Sequence, residues 1–256
     1  MRVRLLPSSA GRESQRQCLT TFLINDRVAV DGGSIGFALT PEEMTGIRHV
    51  IVTHAHSDHT ASLPVFVGEV FTLLESTITI YGTAEVVHAL KEFIFNDQIW
   101  PNFENIPLQN GQGPTIEFRI IEPRQTVNID GINITPIPVN HVVPTVGLMV
   151  QDDGVSVAFT SDTYVTDEIW EVARREEQLK AVFVDVSFPD EFDELAAVSK
   201  HLTPRLLASE LEKLDREVEI YAIHIKPTNR EEVIRQLDRL DNPRILIGEI
   251  GRIYQW

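Results

Sequence analysis

The chain has 256 residues, with 22 Lys and Arg against 38 Asp and Glu, a formal charge of −16, and 43% hydrophobic residues. This is a globular composition, which excludes disordered and fibrous classes. So negative a field repels phosphate backbones and anionic membranes unless basic residues cluster, and the tightest basic group is Arg2 with Arg4, so neither a nucleic-acid polymer nor a membrane is an expected partner. Short β-branched runs that end in turn residues predict strands over 21–24, 28–30, 50–52, 78–80, 116–121, 155–159, 181–186, 218–223 and 245–247. Helical periodicity predicts helices over 84–95, 167–179, 204–214 and 230–240, the second opened by Thr166 and the third by Thr203 before Pro204. The stretch from Gly131 to Gln151 is long enough to span a bilayer, but three prolines and strand-like alternation argue against a membrane helix. No linker and no fixed-period repeat interrupts the pattern, so residues 1–256 read as one α/β domain with mixed sheets covered by helices.

The single cysteine, Cys18, has no internal disulfide partner and reads as a small buried apolar side chain, which suits a reducing compartment. The apolar run before Pro7 is too short for a signal peptide, and a cytoplasmic location is expected.

The chemistry concentrates in Val50 to His59, VIVTHAHSDH, where an apolar strand runs into a loop holding His54, His56, Asp58 and His59. In an extended loop His54 and His56 share a side and can reach one metal ion, while Asp58 and His59 remain for a second. Three of the chain's 8 histidines fall within six positions, which favours a metal site over a polar loop whose imidazoles merely satisfy carbonyls. Further donors recur just after apolar strands: His141 after INITPIPVN, Asp162 after VSVAFTS and His224 at the end of VEIYAIH. These complete two shells, His54, His56 and His141 on one ion and Asp58, His59 and His224 on the other, with Asp162 bridging. Oxygen and nitrogen donors alone suit two divalent ions, zinc first, with manganese or iron as alternatives.

THAHSDH together with His141, Asp162 and His224 resembles the metallo-β-lactamase superfamily, which implies an αββα four-layer sandwich of two mixed sheets flanked by helices, with a dinuclear site at the sheet edges. TFLINDRVAVDGGSIG, THAHSDHTASLPVFVGEVF, the block from Ile78 to Pro107 with IFNDQIWPNF, and SKHLTP resemble, more narrowly, the class II 3′,5′-cyclic-nucleotide phosphodiesterases. The sequence departs from that pattern at Ser8 to Gly11, less glycine-rich than the family's turn, and at Ser57, where a larger apolar residue is usual. The resemblance implies a small cyclic nucleotide, cAMP or cGMP, opened to its 5′-monophosphate by a hydroxide held between two metals and oriented by Asp58 and Asp162. It also implies that His201 points toward the scissile phosphate as a charge stabiliser or acid for the departing 3′ oxygen. Asp31, before Gly32 and Gly33, is either a support behind the metal site, as the resemblance implies, or a turn aspartate.

Phe93, Phe95, Trp100 and Phe103 are expected in the core or at a contact between two copies in a homodimer, with a purine-stacking wall as the alternative. His49 and His88 read as structural, Lys226 as a phosphate contact or a solvated side chain, and the pairs Glu176–Glu177 and Glu231–Glu232 as helix faces. Alternative activities are another hydrolase of the superfamily, such as a tRNA 3′-processing endonuclease or a thioester or lactone hydrolase. A metal-free binding protein that kept the fold is the alternative outside enzymes, and it would ordinarily have lost a ligand that this chain retains. The endonuclease reading lacks a basic arm to grip tRNA.

Overall fold

The computed structural model describes residues 1–8 and 17–256. The departure from the family turn at Ser9 to Gly11 therefore lies outside the described residues. In chain order the first strands are β1 (Arg2–Leu5), β2 (Phe22–Ile24), β3 (Val28–Val30), β4 (His49–Ile51), β5 (Ile78–Gly82), β6 (Ile116–Ile120) and β7 (Val127–Ile129). They are followed by β8 (Ile132–Pro138), β9 (Val146–Asp152), β10 (Val155–Phe159), β11 (Leu179–Asp185), β12 (Glu219–Ile223), β13 (Ile245–Ile247) and β14 (Ile253–Gln255). The helices are α1 (Ile35–Ala38), α2 (Pro41–Thr45), α3 (Ser57–Thr60), α4 (Leu63–Val70), α5 (Ala84–Phe93), α6 (Glu168–Arg175), α7 (Asp193–Ser199), α8 (Pro204–Leu211) and α9 (Arg230–Arg239).

The chain forms two compact units, Met1–Glu122 with Ile250–Gln255, and Pro123–Glu249 with Trp256. The first unit holds a seven-stranded sheet in the order β14-β1-β2-β3-β4-β5-β6, antiparallel from β14 to β3 and parallel from β3 to β6. Ile78 and Ile80 alternate with Thr79 along β5, which turns the isoleucines into a core with Phe66 and Val67 of α4 and Val86 and Leu90 of α5. Helix α5 begins where it does because Thr83 caps it, its side chain accepting from the Val86 amide.

The second unit repeats the plan, with the order β13-β12-β11-β10-β9-β8-β7, parallel from β13 to β10 and antiparallel from β10 to β7. Its core joins Val182 and Val184 of β11 and Ile220 and Ala222 of β12 to Trp170 of α6, Leu207 of α8 and Val233 of α9. The expected architecture of two mixed sheets with helices is thus present, and the proline-bearing stretch from Gly131 to Gln151 forms strands β8 and β9. Among the described residues no helix is long and apolar enough to cross a membrane.

Several local readings are corrected. Helix α6 stops at Arg175 because Glu176 turns the chain, its carboxylate accepting from the Gln178 amide, and β11 starts at Leu179. Glu176 and Glu177 are therefore a turn and not a helix face, whereas Glu231 and Glu232 do open α9. Asp167, not Thr166, holds the N-cap position of α6, with no capping bond from its side chain, while Thr203 caps α8 as expected. Cys18 is exposed, contrary to its reading as a core residue, and its amide donates to the Ser8 hydroxyl at 3.0 Å. The aromatic segment divides: Phe95 and Phe103 are buried and Trp100 packs against the same core, but Phe93 at the end of α5 is 66% exposed. His49 opens β4 and contacts the Tyr81 hydroxyl, and His88 lies within α5.

Candidate metal centre

In sheets of this kind, functional side chains collect beyond the C-terminal ends of the parallel strands, where the rigid ladder stops and a loop begins. Both units follow this rule. In the first, β3 leads into Asp31 and β4 into Thr53 and His54. In the second, β10 leads into Asp162, β11 ends on Asp185 and β12 leads into His224.

The first cluster lies on one loop. The segment is not extended throughout: His56 is the N-cap of α3, and Asp58 and His59 lie within that short helix. The expectation that His54 and His56 face one side survives this change, with ring centroids 4.7 Å apart, and His59 lies 4.1 Å from His54 by the same measure. Asp31 fixes the cluster from behind. Its buried carboxylate accepts from the Thr53 amide at 2.8 Å and the Thr53 hydroxyl at 3.0 Å, and lies 2.7 Å from His59 Nδ1. It is a turn residue as well, with φ of 62°. The following glycines make room: the Gly32 amide donates to the His59 carbonyl at 2.7 Å, and a Cβ on Gly33 would stand 2.0 Å from the Asp58 carbonyl oxygen.

The second cluster is assembled from separated loops. Asp162, Asp185, His201 and His224 offer ligand atoms that all lie within 4.8 Å of one another. His141 stands edge-on to His201, with ring centroids 5.1 Å apart. Its Nδ1 lies 3.0 Å from the Lys200 carbonyl, and a carbonyl only accepts, so Nδ1 carries the proton and Nε2 the lone pair. Asn140 joins the His141 loop to the Asp162 loop, its side-chain amide donating to the Val165 carbonyl at 2.8 Å while its own carbonyl accepts from the Tyr164 amide at 2.8 Å. Lys226 reaches 3.5 Å from His224 Nε2, so it is neither simply solvated nor remote.

Asp185 is the residue that sequence reasoning missed. It is fully buried, and its carboxylate receives the Ser187 hydroxyl at 2.7 Å, the Thr163 amide at 3.2 Å and His201 Nδ1 at 2.7 Å. Burial alone would raise its pKa, but the neighbouring His201, by charge and hydrogen bond, with help from His224, outweighs burial and Asp162 and holds it down at about 2. The carboxylate is therefore ionised and orients His201 through Nδ1, leaving Nε2 as the working atom. The signal was available: AVFVD has the same strand-end setting that singled out Asp162 and His224.

The donor set fits divalent ions. Imidazole and carboxylate are the borderline ligands zinc takes, and His59 and His141 each direct Nδ1 to an oxygen of the protein, the usual arrangement behind a ligating Nε2.

The model of the Beta-lactamase superfamily domain matches residues 34–225 of the chain. The chain belongs to that superfamily. It is 26% identical over 208 residues to a probable 3′,5′-cyclic-nucleotide phosphodiesterase of Yersinia pestis, a match covering 71% of this chain and 58% of the relative. It is 31% identical over 143 residues to a ribonuclease Z of Mycobacterium bovis, covering 50% of this chain and 48% of that one. The chain thus spans about half the length of these curated relatives. The crystal structure of unliganded yeast PDE1 has the same fold, with a TM-score of 0.79 at 17% identity over 98% of both chains. The two mixed sheets with their helices are accordingly the fold expected of a metallo-β-lactamase superfamily member.

Proposed function

We propose that residues 1–256 act as one hydrolase domain that opens 3′,5′-cyclic nucleotides to the 5′-monophosphate, with two zinc ions as resident cofactors. His54, His56 and His141 would hold one ion, Asp58, His59 and His224 the other, and Asp162 would serve both. When bound, such ions lower the pKa of water and offset charge on a phosphoryl group. The chain's own side chains supply the rest. Asp58 and Asp162 orient the attacking water and accept the proton it loses as its oxygen bonds to phosphorus and the bond from phosphorus to the 3′ oxygen breaks. His201, as the imidazolium held through Nδ1 by Asp185, gives the proton on Nε2 to that departing oxygen.

The ion pair between His201 and Asp185 at 2.7 Å, within a donor set suited to metal, carries this reading. Two relations favour the cyclic-nucleotide substrate: the Yersinia pestis relative, which matches 71% of the chain, and the likeness to yeast PDE1 along nearly its whole length. A tRNA-processing activity is the second reading, favoured by the ribonuclease Z match, but that match covers only half of the chain and a charge of −16 opposes a polyanion. A cytoplasmic setting goes with a small nucleotide substrate. The test is to incubate the zinc-loaded protein with cyclic AMP, cyclic GMP, a bis-aryl phosphodiester, a thioester and precursor tRNA. Release of 5′-AMP or 5′-GMP is expected. Comparable processing of tRNA at physiological salt, or turnover of the thioester alone, would overturn the proposal.

A further inference from the structure

We propose that Ser187 is a positioning residue that sets the ring tautomer of His224, placing the proton on Nδ1 so that Nε2 presents the lone pair. As a statement about metal binding this rests on the dinuclear reading above, while the tautomer itself can be observed without metal.

Ser187 is fully buried just beyond β11. Its Oγ lies 2.7 Å from Asp185 Oδ1, 2.9 Å from His224 Nδ1 and 3.1 Å from the His224 carbonyl oxygen. A hydroxyl has one proton to give, and a carboxylate oxygen can only accept, so the short contact to Asp185 claims that proton. Toward His224 the same oxygen is then an acceptor. The ring must supply the hydrogen itself, from Nδ1.

The other side of the ring agrees. Lys226 Nζ, a donor with no acceptor capacity, faces Nε2 at 3.5 Å. Asp162 Oδ2 would prefer a proton on Nε2, but it lies 3.6 Å away, outside hydrogen-bonding distance. The backbone prevents the ring from escaping this choice. His224 has φ of 59°, a left-handed conformation that a residue with a Cβ adopts only when its surroundings impose it. Here the Val186 amide donates to the Ile223 carbonyl at 3.0 Å and the Lys226 amide to the Ser187 carbonyl at 3.2 Å, so the turn is clamped on both sides of His224. Through the two oxygens of Asp185, Ser187 also ties the orientation of His224 to that of His201. One small side chain thus governs which nitrogen is offered at one histidine while leaning on the carboxylate that holds another.

The experiment records long-range proton–nitrogen correlations of the histidine rings in metal-free full-length protein, above the histidine titration range, with His224 assigned from a His224→Gln variant. The wild type should show His224 as the Nδ1-protonated tautomer. Ser187→Ala should shift it toward the Nε2-protonated form, and Ser187→Thr, which keeps the hydroxyl, should not. In a competition titration against a chromophoric chelator, Ser187→Ala should bind zinc about 10- to 100-fold more weakly, the usual cost of losing a ligand's supporting partner. An Nε2-protonated His224 in the wild type would overturn the proposal even if no variant folds. So would a Ser187→Ala protein with an unchanged tautomer and wild-type zinc affinity. Failure of the wild type to bind zinc would strike the dinuclear reading, while the ring spectrum still decides the role of Ser187.

Discussion

The two clusters of metal-type donors are built on different principles. In the first unit, His54, His56, Asp58 and His59 arrive on one short loop and are held by main chain: amides of Gly32 and Thr53, a close pass of Gly33, and the single carboxylate of Asp31. In the second, Asp162, His201 and His224 come from three separate loops; His201 and His224 are tied side chain to side chain through Asp185 and Ser187, and the Asp162 loop is joined to Asp185 by the Thr163 amide. A contiguous cluster carries most of its geometry in the local backbone, so losing one side-chain contact leaves it largely in place. A dispersed cluster depends on its hub, and changes there should propagate and fail to add.

The largest expected effect comes from Asp162→Ala. If one carboxylate serves both ions, elemental analysis should find the metal content reduced at both sites, with phosphodiesterase turnover lost. Loss of a single ion would show that Asp162 belongs to one shell only, and the clusters would then be independent.

Next is His201→Ala, which tests whether the dispersed cluster contains a group that works on substrate and not on metal. Turnover should fall by about 10² to 10⁴, the range for a lost general acid, with metal content nearly unchanged, while the unfolding temperature drops because buried Asp185 loses the partner that holds its charge. The loss should appear in both kcat and kcat/KM. A variant that loses a metal ion would make His201 a ligand, and wild-type turnover would make it structural.

In the first cluster, Asp31→Asn keeps the shape of the side chain and removes its charge. Zinc affinity should drop by about 10- to 100-fold, measured by competition, because His59 loses the carboxylate that orients it. A larger fall, with loss of the folded state, would mean that the contiguous loop also depends on a hub.

The same contrast explains how much could be read from sequence. His54 to His59 were legible because they are adjacent, and the strand-end rule reached His141, Asp162 and His224 because each follows a recognisable apolar run. Asp185 and Ser187 were not recognised, although Asp185 ends such a run, because their importance lies in side chains brought to them by loops distant in sequence. The sheets were largely visible, since β-branched runs mark their inner strands. The edge strands β7 and β14, and β1 beside β14, were not, being short and partly polar, and α6 ends earlier than its periodicity predicts because the chain turns at Glu176, whose carboxylate accepts from the Gln178 amide. Exposure was the least readable property: Phe93 and Phe95 are two residues apart, and only the second points into the core.

The smallest effect is expected at Thr53, which in the first cluster has the place Ser187 has in the second. Its hydroxyl lies 3.0 Å from both oxygens of Asp31 and 3.1 Å from His54 Nδ1. Were the two clusters held alike, removing this hydroxyl would weaken zinc binding as much as Ser187→Ala. Yet Asp31 keeps the Thr53 amide at 2.8 Å and its contact with His59 when the hydroxyl is gone, so its carboxylate stays where it was. Thr53→Val should therefore cost about 1 kcal/mol of stability, the worth of an ordinary buried hydrogen bond, measured by denaturant unfolding. Its zinc affinity should change by less than the roughly tenfold expected of a lost supporting partner. A loss of affinity equal to that of Ser187→Ala would show that side-chain hydroxyls, and not the backbone, hold the first cluster, and would remove the distinction between the two.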